Sequence, residues 1–97
     1  MTTEELEALF EKHDDLYLEG LTSDVGPTKR RDLNAFLLLE KLLPGEGDIV
    51  SAAEHDEFFL DVALEDLAKV VTEEDVKNLI RCGVRVDDYR EGLAMFA

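Results

Sequence analysis

Few side chains in this sequence are of types that do chemistry. They are two histidines, His13 and His55, one cysteine, Cys82, and an abundance of carboxylates. His55 lies in the run Glu54-His55-Asp56-Glu57, which gathers potential metal ligands. Neighbours on a tight turn point in different directions, whereas a metal needs ligands that converge, so the run reads as a solvated polar turn. His13 recurs with Leu6, Leu9, Phe10, Leu16 and Tyr17 at helical spacing, on the apolar side of the first amphipathic segment. A histidine there can serve as a pH switch or a general base, with Cys82 as a conceivable nucleophile. The competing reading is a core or interface histidine bonded to a backbone carbonyl. No His-Glu-x-x-His pair, EF-hand loop, phosphate-binding glycine loop or glycine-x-serine-x-glycine elbow occurs. No catalytic set, metal site or cofactor is therefore expected, and the chain is expected not to be an enzyme.

The carboxylates carry the more specific signal. Net charge is −14, from 10 basic and 24 acidic residues. Residues 1–27 hold eight acids against Lys12 alone, and residues 45–66 hold eight acids with no Lys or Arg. Such blocks repel phosphate backbones and anionic lipid, which argues against direct nucleic-acid or membrane binding and favours a protein partner with a basic surface. Glu4, Glu7, Glu11, Asp14 and Asp15 project from the side of the first helix opposite its apolar residues. At ~1.5 Å rise per residue, Glu4, Glu7, Glu11 and Asp15 advance about 4 to 6 Å per step. That is the order of phosphate spacing along a DNA strand. A rigid row of this kind suits the basic groove of a nucleic-acid-binding protein; the alternative is an acidic face that serves solubility.

These residues need elements to hold them. Thr2 and Glu5 are spaced as a capping box that starts a helix running to Gly20. A loop follows from Leu21 to Pro27, and Thr28 is placed to cap a second helix through Leu43, stopped by Pro44-Gly45. Its apolar residues, Leu33, Phe36, Leu37, Leu38, Leu39, Leu42 and Leu43, occupy most of the circumference, so it is expected between layers or against a second subunit in a homodimer. Lys29-Arg30-Arg31 at its start reads as a solvated basic turn. Ile49–Ala53 and Phe58–Val62 form a hairpin in one reading, and Ala52–Val71 a single helix in another. The hairpin is preferred because Phe58-Phe59-Leu60 and Val62 favour strands. A short helix over Leu64–Val71 and another capped by Thr72 and stopped by Gly83 come next. A last hairpin pairs Val84–Val86 with Leu93–Phe96.

The expected fold is one α+β domain in the order ααββααββ, an antiparallel sheet of about four strands with helices on one face. No apolar stretch approaches the ~20 residues that cross a bilayer, and Met1–Glu5 lacks the features of a secretory signal, so a cytoplasmic location is expected. The lone Cys82 excludes an internal disulfide and reads as a buried small hydrophobe near a helix end.

The run Asp32–Leu39, the segment Ala52–Glu57 and the ending Leu79–Arg85 together resemble small acidic proteins of bacteriophages or prophages. The resemblance covers residues 30 to 97 and carries no motif of known chemistry. It implies a phage-encoded modulator or inhibitor, acting in a host cytoplasm on a host protein, and transfers no site residue. A non-catalytic interaction protein is thus the leading expectation. A homo-oligomeric assembly protein is the alternative, and a small metal-dependent enzyme using His55 or His13 comes third.

Overall fold

The computed structural model describes residues 1–21, 26–87 and 92–96. Its elements are α1 (Thr3–Lys12), α2 (Leu16–Glu19), α3 (Arg31–Leu42), β1 (Val50–Glu54), β2 (Glu57–Leu60), α4 (Leu64–Val70), α5 (Glu73–Arg81), β3 (Arg85–Asp87) and β4 (Gly92–Phe96). The strands form one antiparallel sheet in the order β1-β2-β4-β3. This is the expected α+β class, with one change at the start of the chain.

The helix expected to reach Gly20 breaks after Lys12. His13 is its C-cap, and the chain turns through Asp14 and Asp15 before α2. The start is as read: Thr2 Oγ1 accepts from the Glu5 amide at 3.1 Å, while Glu5 accepts from the Thr2 amide at 3.1 Å. These bonds to Thr2 hold the Glu5 carboxyl below its ordinary pKa. α5 begins with the same device, Thr72 and Asp75 bonding reciprocally at 3.1 and 3.0 Å.

α5 ends at a Schellman motif. Gly83, at φ +93°, donates to the Ile80 carbonyl at 2.9 Å, and Val84 donates to the Leu79 carbonyl at 2.9 Å. A left-handed residue is required there, which is why glycine stops the helix and turns the chain into β3.

α3 starts two residues later than its sequence suggests. Thr28 is not its N-cap; Arg30 holds that position without a side-chain bond. Thr28 is engaged instead by buried Asn34, donating from Oγ1 to Asn34 Oδ1 at 2.7 Å, while Asn34 Nδ2 donates to the Thr28 carbonyl at 3.0 Å. This clamp satisfies the one buried polar side chain among the described residues.

The hairpin reading holds. His55 and Asp56, at φ 52° and 64°, form the two-residue turn between β1 and β2. Two consecutive left-handed residues are what a type I′ hairpin turn requires, and histidine and aspartate adopt that region more readily than most.

The core lies between the helices and one sheet face. Leu6, Ala35, Leu67, Val76, Leu79 and Leu93 are 0–1% exposed, and Leu60, Met95 and Val84 join them. Alternation along the strands turns Phe59, Ala94, Arg85 and Phe96 to the opposite face. Phe59 pairs in register with Ala94, and both are buried although neither belongs to the main core. The strand β2 is therefore buried on both faces, Phe59 on one and Leu60 on the other. No helix among the described residues is long and apolar enough to cross a membrane.

Candidate protein-binding groove

α1 packs against α4 and α5 and reaches the edge strand β3. Leu6 and Phe10 face inward, so residues a quarter-turn away are left along its margin toward β3. Glu7 and Glu11 occupy that margin, and Asp14 follows in the turn after α1. Together with Phe10, Tyr17, Ile80, Val84, Val86 and Phe96 they enclose a groove of about 620 Å³, into which Arg85 also reaches. One wall is a row of carboxylates and the floor is apolar.

None of Glu7, Glu11 and Asp14 has an ion-pair partner among the described residues. Arg85, the basic side chain in the lining, is committed elsewhere: it pairs with Glu57 across the sheet and lies over the Phe96 ring at 4.7 Å. Its Nε is buried without a hydrogen-bond partner among the described residues. Lys12, the nearest base on α1, turns to Glu73 at 3.6 Å.

The wall formed by Tyr17 is held by Arg31. Its Nη2 donates to the Tyr17 carbonyl at 3.3 Å, its Nε donates to the Arg81 carbonyl at 3.1 Å, and its guanidinium lies 5.0 Å from the Tyr17 ring centroid. The basic cluster read as a solvated turn thus loses Arg31 to a structural role, because a planar guanidinium can serve three partners at once. Arg81 extends the tie to α2 through Glu19 at 3.0 Å.

Of the residues singled out from the sequence, Glu7, Glu11 and Asp14 come together in the groove. Glu4 is exposed one turn earlier on α1. Asp15 is exposed but belongs to the turn, as N-cap of α2, so the continuous helical row through Asp15 is not formed. Helix geometry would have carried that row to Asp15 only if α1 had continued past Lys12. Tyr17, Ile80, Val84, Arg85, Val86 and Phe96 were not assigned to the site, since the register that brings the second hairpin beside α1 is a long-range property. The isolated aromatic Phe96 on an edge-proximal strand was the available signal.

The histidines and the cysteine sit in different settings. His13 is bonded through Nε2 to Glu73 at 2.8 Å, a carboxylate rather than the expected backbone carbonyl. That bond, with Lys12 behind it, holds the Glu73 carboxyl below its ordinary range. Cys82 is 1% exposed, and burial pushes its thiol pKa up, opposite to the activation of a nucleophile, although Arg31 pulls weakly the other way. His55 is exposed on its turn, and no group of three His, Cys, Asp or Glu side chains able to hold a metal occurs among the described residues.

No family model matches this chain, and no curated protein or solved structure shows significant similarity to it.

Proposed function

We propose that the chain is a non-catalytic interaction protein whose groove between α1 and β3 receives a short segment of a protein partner rich in basic and apolar side chains. The observation that carries this reading is the juxtaposition of three carboxylates without ion-pair partners among the described residues, Glu7, Glu11 and Asp14, with an apolar lining of Phe10, Tyr17, Ile80, Val84 and Val86. At about 620 Å³ the groove falls within the ~300–1,000 Å³ of concave binding sites. Carboxylates on the rim speed encounter with a basic segment, and apolar contacts on the floor slow its departure. Nucleic-acid-binding proteins are one class of partner with such segments, in keeping with a charge-displaying modulator of a host protein.

The test uses amide chemical-shift mapping with a short Lys/Leu peptide and a Glu/Leu peptide of the same pattern. Shifts clustered at residues 7–17 and 84–96 with the Lys/Leu peptide alone, and lost in Glu7→Lys/Glu11→Lys, are expected. Shifts centred on residues 46–57, or unchanged in the variant, would refute the groove as the binding surface.

A further inference from the structure

α3 buries one side and leaves the opposite side bare. Ala35 and Leu39 point to the core at 0% and 2% exposure, whereas Leu33 and Leu37 are 40% and 43% exposed. At ~3.6 residues per turn, Arg30, Leu33, Leu37 and Glu40 fall on one stripe about 80° wide, centred on the side away from Ala35 and Leu39. Their spacing of three, four and three residues is that of the a and d positions of a helix-pairing seam. Arg30 and Glu40 are both exposed, and neither has an ion-pair partner among the described residues.

We propose that this line is a self-association surface, occupied by α3 of a second copy of the chain in antiparallel orientation. The argument is charge complementarity under two-fold symmetry. A two-fold axis beside residue 35 sets Leu33 against Leu37 of the second copy and Arg30 against its Glu40. Each contact then occurs twice. In the alternative parallel pairing, Arg30 would meet Arg30 and Glu40 would meet Glu40, so the sequence of the seam selects the antiparallel form. The location also fits the charge map. Residues 29–41 hold four bases, Lys29, Arg30, Arg31 and Lys41, against two acids, Asp32 and Glu40, in a chain of net charge −14. α3 thus carries little of the negative charge by which two such acidic chains repel each other. The proposal is independent of the groove, which lies beside α1 and β3.

Sedimentation equilibrium of the full chain, in about 0.15 M salt to screen the net charge, tests it. A weak reversible dimer is expected at protein concentrations up to about 1 mM. Arg30→Glu alone and Glu40→Arg alone each bring like charges together twice and should weaken the dimer roughly tenfold. The double variant Arg30→Glu/Glu40→Arg restores both pairs with reversed polarity and should return to within about twofold of the wild type. Leu37→Ser should weaken it more than either single reversal. All three substituted positions are exposed, so circular dichroism of the variants should match the wild type. A wild type that stays monomeric throughout, a dimer unaffected by Leu37→Ser, or a double variant no better than the single reversals would each overturn the proposal.

Discussion

Replacing Gly20 by alanine tests how the wall of the groove is built. Gly20 has an ordinary helical φ of −64°, so no left-handed conformation requires glycine there. The requirement is space: a Cβ on Gly20 would lie 1.7 Å from the carbonyl oxygen of Arg81 and 2.5 Å from its carbonyl carbon. Both are backbone atoms, and real Cβ contacts essentially never fall below 3.0 Å, so α2 and the end of α5 must separate by more than an ångström. The same Arg81 carbonyl accepts from Arg31 Nε, and Arg81 also pairs with Glu19. Overpacking of this kind, with strain on a charge-assisted hydrogen bond, should cost about 2–4 kcal/mol. For a domain of this size that lowers the melting temperature by about 10–25 °C. Urea unfolding followed by circular dichroism should show a lower midpoint with an unchanged slope. Gly45→Ala is the control, since its Cβ would meet nothing within 4 Å. Equal midpoints for the two variants would refute the close approach of α2 to α5, and with it the placement of Tyr17 in the groove wall.

Other outcomes follow from single contacts. The Glu73 carboxyl should titrate below ordinary glutamates in an NMR pH series and move back up in His13→Ala. Because its folded pKa is depressed, the stability it contributes is present above the unfolded value and lost as pH falls through the folded one; removing His13 should flatten that acid-side loss. Cys82, buried and with its thiol pKa raised, should resist alkylation at pH 8 in the folded protein and react at the free-thiol rate in denaturant; fast native labelling would contradict its burial. Thr72→Ala removes the acceptor for the Asp75 amide and should cost about 1 kcal/mol, measured as a shift in urea midpoint, whereas Thr28→Ala removes one of the two donors to Asn34 Oδ1, the residue 28 amide keeping the other, and should cost less.

Local signals in the sequence matched the structure where short-range chemistry decides the outcome. Thr2 and Thr72 start helices, Gly83 ends one, and His55-Asp56 turns a hairpin, each through bonds or backbone conformations confined to a few residues. The departures come where distant groups intervene. α1 stops at Lys12, with His13 held through its ring by Glu73, sixty positions away. Thr28 lost its capping role to Asn34, and Arg31 left the basic cluster to join α3 to Tyr17 and Arg81. The candidate site divides the same way. Glu7, Glu11 and Asp14 were visible from helical spacing, but their apolar counterpart was not, because only the pairing of β3 with β4 and the seating of α1 beside that edge bring Val86 and Phe96 to them. An acidic helix face alone is compatible with mere solubility. An acidic face that borders an apolar floor is not explained by solubility alone, since that demand would place polar side chains on the floor as well. The groove therefore changes the meaning of carboxylates that the sequence could identify but not interpret.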